Sequence, residues 1–297
     1  MLSRLQSIPR GLYRRSKQRL AAREESRFTP RLRVDAAAPE LVLSPHFDDA
    51  VLNCWTILSD ERELNVANVF AAAPAPGRVT LWDATTGASD SAQRVRERVA
   101  EDAAALGRAG RKPINLSFMD AQYRRPPQPT LEAIDHELSA NVPSASRVYV
   151  PAGIGSHPDH LLTRRYGRML LRSGMPATLY AELPYCVLHG WPTWVDGRDP
   201  DPHRNVDAFW MSFLEDVPEL PDLRSAQVFH LDPAAASCKL AAMRDYRTQF
   251  ACLDYGARGI LSDTEIHGYE VRWSLTSPGP ASDSDGAKTT ETRADAT

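Results

Sequence analysis

Two short segments of this chain hold an unusual share of its chemically capable side chains. One is Ser44-Pro45-His46-Phe47-Asp48-Asp49, and the other is Gly153-Ile154-Gly155-Ser156-His157-Pro158-Asp159-His160. Imidazole nitrogen and carboxylate oxygen are donors that zinc takes at about 2.0–2.2 Å, and a catalytic zinc keeps three protein ligands and one open position. His46 and Asp49 are three residues apart, a spacing that converges on one point at a strand-to-helix turn. Asp48, between them, points differently and stays free for proton transfer. His160 completes a His-Asp-His set, and His157, three residues before it, faces the attacking water from the other side. Asp159 is placed to bond an imidazole and fix its tautomer. Each segment alone is a weak signal, because Asp is also favoured at helix starts. Capping does not explain three histidines confined to two short loops, and the pair reads as a metal centre.

The elements that must position these loops follow from periodicity. Glu40–Ser44 reads as a buried strand stopped by Pro45. Residues 64–72, 114–119, 147–152 and 177–183 read as further strands, and 268–275 as a late one. Helices are expected over 89–106, with Val95, Val99, Ala103 and Leu106 sharing one face, and over 130–139, 157–173 and 239–250. Strands alternating with helices predict an α/β, Rossmann-like fold with a mostly parallel sheet and helices on both faces. In such a sheet the loops after successive strands share one edge, where ligands bind. The two motif loops each follow a strand, so 110 residues of separation need not mean distance in space. Residues 190–223, with three tryptophans and many prolines, read as a covering loop.

Length and composition set the frame. The chain has 297 residues, 42% hydrophobic and 25% charged, which excludes a wholly disordered chain, a collagen-like fibre and a disulfide mini-protein. No apolar run approaches the roughly 18 residues of a spanning helix, and the first twenty residues lack the apolar core of a secretory signal. A net charge of -3 gives no nucleic-acid footprint. The four cysteines lack CxxC spacing and read as reduced thiols, which implies a cytoplasmic protein. Residues 1–35 form a basic arm, with ten basic and two acidic residues among the first 34; it suits contact with a membrane surface or simple solvation. Residues 276–297 lack bulky apolar side chains and read as a disordered tail, leaving 36–275 as a single catalytic domain. Oligomeric state is not readable.

With these residues in view, the stretches LVLSPHFDDAVLNCWTIL and PAGIGSHPDHLLTRR resemble the PIG-L / LmbE-like family of zinc-dependent N-acetylglucosaminyl deacetylases. Weaker echoes follow in the same order: Arg98 to Leu106, Leu116 to Arg124 with Asp120, Ala181 to Tyr185, and Lys239 with Tyr246 and Gln249. The resemblance implies Zn2+ (with Fe2+ as the other metal left open) held by His46, Asp49 and His160. It implies Asp48 as general base, His157 in protonated form as oxyanion stabiliser or general acid, and Asp159 as the group orienting His157. Which of Asp48 and His157 protonates the leaving amine stays open. Arg98 and Asp120 are substrate-contact candidates by resemblance, and Tyr185 is a candidate aromatic wall. Phe47 stands where a proline or leucine is frequent, and a tyrosine found in some members near Ile154 and Gly155 is absent. The implied activity is removal of an N-acetyl group from an amino sugar in a glycoconjugate or secondary metabolite. An amidase for thiol conjugates and a non-catalytic metal-retaining module are the competing expectations.

Overall fold

A computed structural model describes residues 28–198, 203–220, 222–256 and 259–276. Most of the basic arm and the C-terminal tail lie outside the described residues.

Nine strands are present among the described residues. We label them β1 (Arg33–Val34), β2 (Glu40–Ser44), β3 (Leu64–Asn68), β4 (Pro113–Asn115), β5 (Ser144–Ala145), β6 (Val148–Pro151), β7 (Ala177–Tyr180), β8 (Gln227–His230) and β9 (Tyr269–Ser274). Seven of them form the main sheet in the order β4-β3-β2-β6-β7-β9-β8. The strands from β4 to β7 in that order are parallel, whereas β9 runs antiparallel to both β7 and β8. Val42 sits level with Val66 on one side and Tyr149 on the other. β2 and β6 are buried along nearly their whole length, as expected of strands covered on both faces.

The order of the strands explains where a site must lie. The chain runs outward from β2 through β3 to β4, then returns and continues from β6 to β7 on the opposite side of β2. Loops leaving the C-terminal ends of β2 and β6 therefore diverge, and the crevice between them is the topological switch point where open α/β sheets bind ligands. Those are the two motif loops.

Several boundaries differ from the sequence expectations. The folded part begins before residue 36: Leu32 is buried, the Asp135 carboxylate accepts from the backbone of Arg31 and Leu32, and β1 pairs with β5. The helix expected over 239–250 is Pro233–Met243, capped by Asp232 with proline at its first turn, and the short helix Phe250–Leu253 follows. The region 190–223 contains helices Thr193–Asp196 and Val206–Leu214, with Trp191 and Trp210 buried in the core. The helix Ser91–Gly107 buries Val95 and Leu106 of the expected face, with Val99 packed on the core, but its inward face is wider. Ala103 is exposed, and Arg98, Glu101 and Asp102 are buried. No helix among the described residues is long and apolar enough to cross a membrane.

Candidate active site

The turn after β2 is folded by local bonds. The Ser44 hydroxyl donates to the His46 carbonyl and accepts from Ala50 N–H. The Asp49 carboxylate accepts from His46 N–H at 2.8 Å, which bends its Oδ2 back over the loop. The short helix Asp49–Asn53 follows, and Asn53 ties it to the neighbouring segment by accepting from Leu183 N–H at 2.6 Å. After β6 the chain needs tight turns. Gly153 and Gly155 have φ of +81° and +91°, and Ser156 is in the left-handed region at +58°. His157 then caps the helix Pro158–Arg172, its Nδ1 accepting from Asp159 N–H at 3.3 Å. That bond assigns the remaining proton of neutral His157 to Nε2.

The two loops meet. His46 Nδ1 lies 3.3 Å from Asp49 Oδ2, His160 Nε2 lies 3.3 Å from the same oxygen, and the two nitrogens are 3.3 Å apart. Three points separated by that length form one face of a tetrahedron whose centre is about 2.0 Å from each, the bond length zinc requires. The far nitrogen of each ring faces a buried carboxylate. His160 Nδ1 is 3.2 Å from Glu182, and His46 Nε2 is 3.1 Å from Asp159. Such partners fix the tautomer that leaves the near nitrogens as lone-pair donors. The donor set therefore fits a divalent metal. His157 is close by, its ring centroid 4.7 Å from that of His46 and 5.2 Å from that of His160, and the three histidines form a further candidate donor group.

Electrostatics point the same way. Burial opposes charge on His160, but Asp49 and Glu182 outweigh it and raise its pKa to about 9. Burial likewise opposes the ionisation of Asp49, yet the two imidazoles hold it well below the usual carboxylate range. The convergence point thus favours positive charge. Burial, followed by the neighbouring charge of Asp49, pushes Asp48 upward. Burial, and then His46 and His160, push His157 down to about 4, so it is neutral near pH 7 rather than protonated.

Asp159 differs from its expected role. Its carboxylate bonds His46, Ala121 N–H and the Arg124 guanidinium, and it is fully buried. It therefore orients His46; the link to His157 is through the backbone N–H. The reason is topological, since β2 and β6 are adjacent and bring His46 against the start of the second helix.

A cavity of about 290 Å³ opens over this centre, at the small end of the roughly 300–1,000 Å³ typical of ligand sites. His46, Asp48, Asp49 and His157 line its floor, and Arg98, Asp120 and Tyr185 line the same space. Arg98 and the Trp82 indole both donate to Gln249 Oε1. Asp120 accepts from Gln122. Tyr185 stands edge-on to His160, with ring centroids 5.7 Å apart. Glu182, Arg124 and Asn53 were not singled out from the sequence. The only signal for Glu182 was its place in the Ala181 to Tyr185 echo.

No family model matches the chain. A curated relative, 2'-N-acetylparomamine deacetylase of Niallia circulans, is 25% identical over 187 residues, covering 50% of this chain and 68% of the relative. A deacetylase of the teicoplanin biosynthetic pathway, solved as a triple mutant, superposes with a TM-score of 0.63 at 24% identity over 82% of this chain and 99% of that one. A40926 pseudoaglycone deacetylase superposes with a TM-score of 0.60 at 26% identity, over 81% and 97%. The chain is similar in sequence and fold to these deacetylases. It carries both motif loops at the switch point of its sheet.

Proposed function

We propose that this chain is a metal-dependent N-deacetylase acting on an acetylated amino sugar within a glycoconjugate or secondary metabolite. The observation that carries the reading is the set of three donor atoms, each 3.3 Å from the other two, with Asp48 lining the same cavity as His46 and Asp49. The deacetylase relatives support the amide and sugar character of the substrate. His46, Asp49 and His160 would hold the metal, with zinc favoured by the nitrogen and oxygen donors. Bound there, zinc supplies Lewis acidity toward an amide carbonyl and toward the attacking water.

The remaining chemistry falls to the chain's own groups. Asp48 takes a proton from the attacking water, help typically worth about 10²–10⁴-fold. His157 donates its Nε2–H to the carbonyl oxygen as negative charge grows there. Because Nδ1 of His157 is already an acceptor for the backbone, the ring has one proton to give and spends it on that oxygen. Asp48 is then the group that returns a proton to the departing amine. Arg98, Asp120 and Tyr185 would meet the sugar. The four unpaired cysteines support a reducing, cytoplasmic setting.

The test is metal analysis of the purified chain combined with acetate release from 2'-N-acetylparomamine and from N-acetylglucosaminides, with cysteine conjugates assayed in parallel. Acetate release that a chelator abolishes is the expected result. Cleavage of the cysteine conjugates alone would transfer the chain to the amidase reading, and metal binding without any turnover would make it a binding module.

A further inference from the structure

Behind the metal loop lies a buried carboxyl that the proposed reaction does not use. Asp102, on the helix Ser91–Gly107, is fully buried. Its Oδ1 is 2.8 Å from the Tyr246 hydroxyl, and its Oδ2 accepts from Asn68 Nδ2 at 2.6 Å. The same Tyr246 hydroxyl is 2.9 Å from the backbone carbonyl of Phe47, the peptide that leads directly into Asp48 and Asp49. Phe47 and Tyr246 are themselves buried.

The hydrogens in this chain can be counted. A tyrosine hydroxyl carries one hydrogen, a backbone carbonyl carries none, and an ionised carboxylate carries none. With Asp102 ionised, three oxygens share one proton, and one of the two short contacts sets acceptor against acceptor in a buried place. With Asp102 neutral, its O–H donates to Tyr246 Oη, and Tyr246 donates onward to the Phe47 carbonyl. Both contacts are then bonds. We propose that Asp102 is kept as the neutral acid and is a positioning residue, fixing the Phe47–Asp48 peptide through Tyr246. Its bearing on catalysis rests on the metal-deacetylase reading given above.

The surroundings agree with the count. Burial pushes Asp102 up to about 7, the like charge of Asp48 adds to that, and the bonds from Tyr246 and Asn68 only partly oppose it. Among the described residues no cation is committed to it. Arg98, one turn earlier on the same helix, is taken by Gln249. Lys239, on the packed helix Pro233–Met243, is taken by Glu270. Glu101 beside it accepts from Thr248.

Asp102→Asn is the informative variant, because its Nδ2 replaces the acid O–H and its oxygen still accepts from Asn68. Infrared difference spectra of the full chain against Asp102→Asn should show a protonated carboxyl band near neutral pH that fades as pH rises. A residue already ionised at pH 6 would overturn the neutral-acid assignment. Zinc affinity, measured by chelator competition, reads the positioning role without needing a substrate. It should stay within about threefold in Asp102→Asn and weaken roughly 10–100-fold in Asp102→Ala, the range for residues that support ligands. Tyr246→Phe keeps the ring volume and folding contacts and should show the same loss as Asp102→Ala. Equal zinc affinity in all four proteins would overturn the positioning role, whereas a parent chain that binds no zinc would sink the metal reading itself.

Discussion

Glu182 and His160 lie 3.2 Å apart, carboxylate to Nδ1, with both side chains buried. The same carboxylate accepts from Gly153 and Ile154 N–H, so one side chain fixes both the ring and the loop that precedes it. This makes Glu182 the link between β7 and the second motif. Glu182→Ala removes three acceptor contacts at once, and zinc affinity should fall roughly 10–100-fold. Glu182→Gln keeps an acceptor for the ring and should lose less. Chelator competition on the two variants checks this; equal affinity in parent and Glu182→Ala would detach Glu182 from the metal centre.

Asp48 and His160 should separate cleanly. Asp48 lines the cavity beside the donors, and the helix cap it occupies makes no side-chain bond. Asp48→Ala should therefore retain stoichiometric zinc and lose about 10²–10⁴-fold in turnover. His160→Ala should lose the metal, and turnover with it. Metal content by mass spectrometry beside acetate release decides the matter. Loss of zinc from Asp48→Ala with its retention in His160→Ala would reverse the assignments.

How much of this was legible in the sequence depends on whether the information is local. The two motif loops are local, and their strand-then-loop setting was readable from hydropathy and Pro45. The parallel sheet followed from alternation of strands and helices. Pairings across the fold were not readable. Asp159 serves His46 because β2 and β6 are neighbours, a fact absent from the spacing within His157 to His160. The helix Ser91–Gly107 misled for a related reason. Hydropathy favoured a stripe of which Val95 and Leu106 are buried and Ala103 is exposed, while the inward face also carries Arg98, Glu101 and Asp102. Their partners Gln249, Thr248 and Tyr246 arrive from some 150 residues later in the chain, and burial follows those partners rather than hydropathy. By contrast, the true start of the helix Pro233–Met243 was locally encoded in Asp232 and Pro233.

Gly155 should resist substitution. Its φ is +91°, and a Cβ placed there would lie 2.9 Å from Cβ and Cγ of Tyr185. Gly155→Ala therefore strains the backbone and displaces a cavity-lining ring. Stability should drop by about 1–3 kcal/mol, and KM should rise more than kcat falls, because Tyr185 lines the cavity as a proposed sugar contact and takes no part in the proton transfers. Thermal unfolding and steady-state kinetics test both parts. An unchanged KM would show that Tyr185 does not contact substrate.

Glu270 gives the fold a defined acid sensitivity. It accepts from Trp55 N–H, Thr56 N–H, the Thr56 hydroxyl and Lys239 Nζ, all in the interior behind the metal loop. Burial opposes its ionisation, but Lys239 and Arg272 overcome that and lower its pKa below 4.5. A carboxyl whose pKa is lower in the folded state contributes stability above its unfolded pKa of about 4.3 and loses it as pH falls through the folded value. Glu270→Gln leaves Lys239 buried without its counter-charge, and at pH 7 this should cost about 3–5 kcal/mol. The gap between parent and variant should narrow as pH falls below the unfolded value of about 4.3, where the unfolded parent begins to take up the proton. Urea unfolding at pH 7 and at pH 3.5 measures both ends. A gap of the same size at the two pH values would mean that Glu270 has the same pKa folded and unfolded, and that the acid sensitivity of the fold lies elsewhere.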